Sequence, residues 1–136
     1  MTTTSERPET ASSSGVHSTY SALIGVAAFA ILLQGLWAGL FIGHQGEGWV
    51  EVHAVGGEVA IASAAAASLL VIWKLRSRRD LLIGTLLVTV LLVLEAYLGG
   101  LIADEHQDAL TAVHVPLAMA LISLAVWLPL RATRRP

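Results

Sequence analysis

Two histidines of this sequence lie inside long apolar segments, where an imidazole is costly and is therefore a candidate for function. His53 and His114 are 61 positions apart, and the same shift superimposes Gln34 on Glu95. A neutral imidazole can ligate a metal ion, and two imidazoles can bind the opposite faces of one iron atom. The spacing therefore predicts a duplicated unit that offers one metal ligand from each half.

Glycines accompany both histidines, and a missing side chain leaves room for a flat macrocycle. Gly56 and Gly57 lie about one turn after His53, and the shift of 61 positions superimposes Gly39 on Gly100. The chain has no cysteine, which excludes thiolate metal sites and the covalent attachment of a c-type haem. We therefore expect one haem b per chain, with the two histidines on the iron and these four glycines around the macrocycle.

Other interpretations of these residues stay open. Each histidine could instead form a hydrogen bond that joins two helices in the membrane. Gln34 and Glu95 lie slightly deeper than the histidines and could orient a ligand or relay a proton, but a simple interhelical hydrogen bond explains them as well. Glu58 faces away from His53 on a helical wheel, which favours a structural role.

A second group of polar side chains lies between the apolar segments. His44, Glu47, Asp104 and His106 combine imidazoles with hard carboxylates, a set of groups that can bind a divalent cation. A solvated acidic rim is the more common meaning of such a run. We therefore treat an external metal site at these residues as the weaker hypothesis.

The elements that must position these residues are four apolar segments. Hydrophobic residues make up 55% of the chain and charged residues only 13%, and the mean hydropathy is +0.71. Each segment is long enough to cross a hydrocarbon layer of about 30 Å at about 1.5 Å per residue. We predict an all-α integral membrane four-helix up-down bundle, built from a duplicated two-helix unit, with spans at about 20–42, 52–73, 81–103 and 109–130.

The charges outside these segments predict the orientation. Lys and Arg residues are concentrated at positions 74–79 and 131–135, whereas the other two connections carry acidic residues and no Lys or Arg. The positive-inside rule therefore places both termini in the cytoplasm, in a multi-pass protein of the plasma (inner) membrane. Residues 1–19, rich in Ser and Thr, are expected to be a disordered cytoplasmic tail, and residues 131–136 a basic one.

Two stretches carry a resemblance to a known family. They are LQGLWAGLFIGHQGEGWVEVHAVGG (33–57) and LEAYLGGLIADEHQDALTAVHVPLAMALI (94–122). The pattern of glycines, loop and histidine resembles the repeating unit of the haem A synthase family, whose members have eight spans in two four-helix halves. Paired histidines lie on the second and fourth span of each half. The resemblance implies that His53 and His114 are haem ligands and that this chain corresponds to one half.

The chain also departs from that family. The family has Glu three residues before the first histidine and Arg directly after it, whereas this chain has Glu51 two residues before His53 and Ala54 after it. A second pair of ligands is missing. Simple haem binding or electron transfer is therefore better supported by the resemblance than the oxidation of a farnesylated haem.

Together these patterns predict a membrane b-type haem protein with one bis-histidine haem near the outer leaflet, which transfers electrons or handles haem as a haem A synthase does. Whether it is an enzyme is left open. The expected partner is a quinol or a redox protein, and we expect no nucleic-acid partner. The row of Gly35, Gly39 and Gly43 could support a homodimer. The alternatives are a cofactor-free membrane interaction or assembly subunit and an external divalent-metal binder.

Overall fold

The chain forms four long helices. The computed structural model describes residues 9–44 and 47–133. Helix α1 runs over Glu9–His44, α2 over Glu47–Lys74, α3 over Arg79–Glu105 and α4 over Thr111–Ala132, and a single 3-10 turn, Asp108–Leu110, precedes α4. The described residues contain no strand. The predicted all-α fold is therefore confirmed.

All four helices can cross a membrane. Their apolar stretches are Gly15–Leu40, Gly48–Lys74, Arg79–Glu105 and Asp108–Ala132, each long and apolar enough to span a bilayer. Many large apolar side chains point outward, among them Phe29, Trp73, Ile83 and Val90. Hydrocarbon tails are a suitable environment for such side chains, whereas water is not. The chain is therefore a membrane protein with four spans, as its sequence predicts.

The helices extend beyond the predicted spans. α1 begins at Glu9, so the structure describes residues 9–19, part of the predicted tail, as helix, and residues 1–8 lie outside the described residues. Extending an existing helix gains one hydrogen bond for each residue without a new nucleation step. The hydroxyl of Thr19 also donates to the carbonyl of Gly15 at 3.0 Å. A polar composition alone was therefore a poor guide to where this helix begins.

The bundle has an up-down topology. α1 packs on α2 and α4, and α3 packs on the same two helices, so α1 and α3 are diagonal partners, as are α2 and α4. We call the end with the connection 75–78 and residues 131–133 the basic end. The end with residues 43–44, 47–48 and 103–110 is the acidic end.

Contacts at the basic end connect α3 and the loop before it with α4. The guanidinium of Arg78 donates to the carboxylate of Asp80 at 3.1 and 3.2 Å and to the carbonyl of Arg131 at 3.0 Å. Nε of Arg131 donates to Asp80 at 3.0 Å. The hydrogen bond to Asp80 raises the pKa of Arg78. These bonds tie the α2–α3 connection to the end of α4.

The core repeats with the period found in the sequence. Four buried residues of α1 and four of α2, spaced by three or four positions as on one face of a helix, each have a buried counterpart 61 positions later in α3 or α4. The buried series are Tyr20, Ile24, Ala27 and Ile31 against Leu81, Thr85, Val88 and Leu92, and Ala60, Ala64, Ala67 and Val71 against Leu121, Ala125, Leu128 and Ala132. The duplication is therefore a feature of the core packing as well as of the amino-acid sequence.

The packing is closest in the half of the bundle nearer the basic end. There the hydroxyls of Tyr20 and Thr85, from the diagonal helices α1 and α3, form a buried hydrogen bond of 2.7 Å. Nearer the acidic end, His53, Gly57 and His114 are only partly buried. The candidate site lies in this more open half.

Candidate functional site

Both histidines lie on the inward faces of their helices. His53 precedes Ala60 and Ala64 by seven and eleven residues, and at 100° per residue the three share one face of α2. His114 has the same relation to Leu121 and Ala125 on α4. Because α2 and α4 are diagonal, the two imidazoles approach the bundle axis from opposite sides.

The imidazole of His114 is held by a carboxyl group from the preceding helix. Its Nδ1 atom contacts Oε2 of Glu95, which lies on α3. The side chain of Glu95 is only 8% exposed, and neither of its oxygens has a partner with regular hydrogen-bond geometry among the described residues. The pair is therefore a buried contact with unused hydrogen-bonding capacity, which is unusual for a purely structural pair.

The imidazole of His53 is held in the corresponding way by an amide group. In the orientation that satisfies its neighbours, the amide nitrogen of Gln34 lies 3.1 Å from Nδ1 of His53 and 2.8 Å from the carbonyl oxygen of His53, and the amide oxygen lies 3.1 Å from the backbone nitrogen of Gly57. The backbone contacts determine this orientation, because a carbonyl needs a donor and an N–H needs an acceptor.

The two pairs are related by the repeat, and both engage Nδ1. In both pairs Nε2 is the ring nitrogen that the neighbouring side chain does not contact. A histidine that ligates a metal through Nε2 usually donates from Nδ1 to such a neighbour. The two pairs differ in one respect. An ionised carboxylate at Glu95 can only accept, which leaves the Nε2 lone pair of His114 available, whereas the Gln34 amide must turn before His53 reaches the same state.

The two glycines one turn after His53 on α2 have different surroundings. A Cβ atom at Gly56 would collide with the indole ring of Trp37 and with the Gln34 amide, whereas a Cβ at Gly57 would have nothing within 4 Å. The space beside Gly56 that was expected to take a macrocycle is occupied by the indole of Trp37 of α1. Gly56 permits the close packing of α1 on α2, and Gly57 alone stays open.

The other predicted glycines lie near the acidic end without touching the histidines. Gly39 is exposed, with nothing within 4 Å of an added Cβ, and an added Cβ at Gly100 would lie 3.9 Å from the Asp104 carboxylate of its own helix. Its neighbour Gly99 faces the imidazole instead, because a Cβ there would lie 3.6 Å from Cε1 of His114. The repeat predicted a glycine near this histidine but not which member of the pair.

The predicted external metal site gains no support from the part of the chain that the structure describes. There, no group of three or more His, Cys, Asp or Glu side chains could hold a metal ion. Asp104 and His106 are exposed, and the side chains of His44 and Glu47 lie outside the described residues. His106 has a left-handed backbone conformation (φ 56°), and its N–H bonds to the carbonyl of Leu101. Its visible role is to end α3.

Two features of the site could not be read from the sequence. The insertion of Trp37 into the notch at Gly56 has no counterpart in the other half, where the shift of 61 positions places Leu98 and Leu117. The pairing of each histidine with the helix that precedes it could be suspected only from the repeat of Gln34 and Glu95. Compared with family models, curated proteins and solved structures, the chain gives no match.

Proposed function

We propose that this chain is a membrane haem protein, in which His53 and His114 bind one haem b and one electron at a time passes through the site. One observation carries the proposal. Repeat-related histidines on diagonal helices face the same axis, and each is held at Nδ1 by a polar side chain of the preceding helix. The contact of His114 with Glu95 suits a haem ligand, whereas the Gln34 amide donates to Nδ1 of His53 and would have to turn for that histidine to ligate through Nε2.

The roles of the surrounding residues follow from their contacts. Glu95 orients His114 through its contact with Nδ1. Gln34 orients His53 and connects it to the backbone at Gly57. When bound, haem supplies the reversible one-electron chemistry that no side chain of this chain provides.

The orientation and the location are part of the proposal. Every Lys and Arg of the described residues lies at the basic end, which supports a cytoplasmic position for that end and for both termini in a plasma membrane. The site then lies near the outer leaflet. Because the acidic end has no Lys or Arg, the positive N-terminal ends of α2 and α4 are the groups available to haem propionates.

A quinol dissolved in the bilayer is the electron partner that the surface best supports. An open groove between α1 and α2 is lined almost entirely by apolar side chains, with Glu51 near its acidic end. An isoprenoid tail suits the apolar part, and a carboxylate suits a hydroxyl head group. A redox protein docking at the acidic end is the other partner consistent with a site near the outer leaflet.

An absorption spectrum of the full-length protein, purified after expression with excess haem, tests the proposal. We expect a Soret band and sharp reduced bands from a six-coordinate low-spin haem. His53→Ala and His114→Ala should each abolish the low-spin spectrum, while the matched control His106→Ala, at an exposed histidine, should leave it unchanged. A folded protein without a Soret band, or a spectrum that survives both substitutions, would overturn it.

The resemblance to haem A synthases supports a second version of the same proposal, in which haem is a substrate or cargo. Its test is whether haem is released or modified during turnover, seen by mass spectrometry of the extracted porphyrin.

A cofactor-free interaction subunit is the alternative from another class, and it is favoured by the Trp37–Gly56 packing, which gives a glycine of the site a purely structural role. A protein that folds stably without haem would support the cofactor-free alternative.

A further inference from the structure

The amide of Gln34 bridges one turn of α2. Its nitrogen lies 2.8 Å from the carbonyl oxygen of His53, and its oxygen lies 3.1 Å from the backbone nitrogen of Gly57. Residues four apart share a backbone hydrogen bond in an α-helix, so these two groups belong to the same turn. The opposite orientation would set the amide oxygen against a carbonyl and the amide nitrogen against an N–H, and it would gain only a 3.4 Å contact with the carbonyl of Ala30. The backbone of α2 therefore fixes the orientation of the amide.

The fixed amide decides which ring nitrogen of His53 carries the proton. The amide nitrogen, which lies 3.1 Å from Nδ1, is a donor and cannot accept. A neutral imidazole has one N–H and one acceptor nitrogen, so Nδ1 is the acceptor and Nε2 carries the hydrogen. In this tautomer Nε2 has no lone pair for a metal. Ligation through Nε2 needs the proton on Nδ1, where it would face the N–H of the amide.

The repeat-related pair does not have this restriction. Oε2 of Glu95 contacts Nδ1 of His114, and neither oxygen of Glu95 has a hydrogen-bond partner of regular geometry among the described residues. A carboxyl group presents an acceptor oxygen in either protonation state, so Nδ1–H of His114 can donate to it without any rotation. Nε2 of His114 then keeps the lone pair that binds a metal. The two halves of the repeat therefore prepare their histidines for different roles.

We propose, on the basis of the haem site proposed above, that His114 is the permanent iron ligand and His53 the displaceable one, so that a small diatomic ligand can bind on the side of His53. That side has space, because a Cβ added at Gly57 would meet nothing within 4 Å. No electron moves in the exchange, and the ring of His53 keeps one proton, on Nδ1 as a ligand and on Nε2 after displacement. The Nε2–H group is then a hydrogen-bond donor, and such donors tune the binding of diatomic ligands.

The protein without haem tests the tautomer by itself. Nitrogen-15 NMR of histidine-labelled, full-length protein in mild detergent distinguishes a protonated ring nitrogen from an unprotonated one, and the signal lost in His53→Ala assigns this residue. At about pH 8, where a free imidazole is neutral, we expect His53 to be protonated at Nε2 and not at Nδ1. A proton on Nδ1 of His53 would overturn the inference.

Carbon monoxide is the probe for the reduced, haem-loaded protein. It should displace one histidine and shift the Soret band of the full-length chain. His53→Ala should keep haem in a high-spin form, because the permanent ligand remains, whereas His114→Ala should lose haem during purification. Gln34→Glu copies the residue of the other half and gives His53 an acceptor. It should raise the carbon monoxide concentration at half-saturation by roughly 10–100-fold, while the matched control Gln107→Glu, at an exposed glutamine, should leave it unchanged.

Failure of this inference can be told apart from failure of the proposed function. The inference alone is refuted if the unsubstituted protein has a Soret band but does not bind carbon monoxide. It is also refuted if Gln34→Glu binds carbon monoxide as the unsubstituted chain does, or if His114→Ala retains haem and His53→Ala loses it. The absence of any Soret band would refute the proposed function, and the roles assigned to the two histidines with it.

Discussion

The adjacent glycines of α2 offer a sharp test of the packing between α1 and α2. Gly56→Ala and Gly57→Ala add the same methyl group at neighbouring positions of one helix. At Gly56 the new atom would collide with the indole of Trp37 and with the amide of Gln34, whereas at Gly57 it would meet nothing within 4 Å. The two variants should therefore change the stability in opposite directions.

The expected magnitudes follow from three contributions. Replacing a helical glycine by alanine stabilises a helix by up to about 1 kcal/mol, and this is the whole effect at Gly57. At Gly56 the same gain is opposed by overpacking, which costs about 1–3 kcal/mol. Displacing the Gln34 amide from His53 and Gly57 removes hydrogen bonds worth about 1 kcal/mol each. We therefore expect Gly56→Ala to destabilise the protein by about 3–5 kcal/mol if all three hydrogen bonds of the amide are lost, and Gly57→Ala to be neutral or slightly stabilising.

Reversible unfolding in mixed micelles of mild detergent and dodecyl sulfate, followed by circular dichroism, measures this difference in the free energy of unfolding. The fluorescence of Trp37 gives a local readout if the other three tryptophans are replaced by phenylalanine in a common background. The reasoning fails if Gly56→Ala is as stable as the unsubstituted chain. It also fails if Gly57→Ala is the more damaging of the two.

Three further predictions address other parts of the bundle. Tyr20→Phe and Thr85→Val should each destabilise the protein by about 1 kcal/mol, and the double variant by less than the sum, because they share one buried hydrogen bond of 2.7 Å; additive effects would exclude that bond. Glu95→Leu should weaken haem binding by roughly 10–100-fold in titrations, while Glu95→Gln, which keeps an acceptor for Nδ1, should weaken it less; equal losses would argue against the orienting role. A single cysteine at Gln107 should react with an impermeant thiol reagent on intact cells, and one at Ser77 should not; the reverse pattern would invert the proposed topology.

The sequence was sufficient for the properties that depend on one helix at a time. Length and apolarity predict the four spans, because crossing the bilayer depends on the residues of each segment alone. The matching positions of Gln34 with Glu95 and His53 with His114 predicted a duplicated unit, and the buried positions of the two halves repeat with the same shift. Helical periodicity then places both histidines on the inward faces.

The remaining features depend on how each helix is rotated and how deeply it sits against its neighbours, and no property of a single segment determines these. Gly56 and Gly57 are adjacent residues of the same type, so the sequence does not distinguish them. Only Gly56 faces α1, where the ring of Trp37 occupies the space beside it. Whether Gln34 presents its nitrogen or its oxygen to His53 is decided by two backbone groups of the neighbouring helix. The helical state of residues 9–19 arises because they continue a helix that the membrane span has already nucleated, an effect that a local reading of Ser and Thr content does not include.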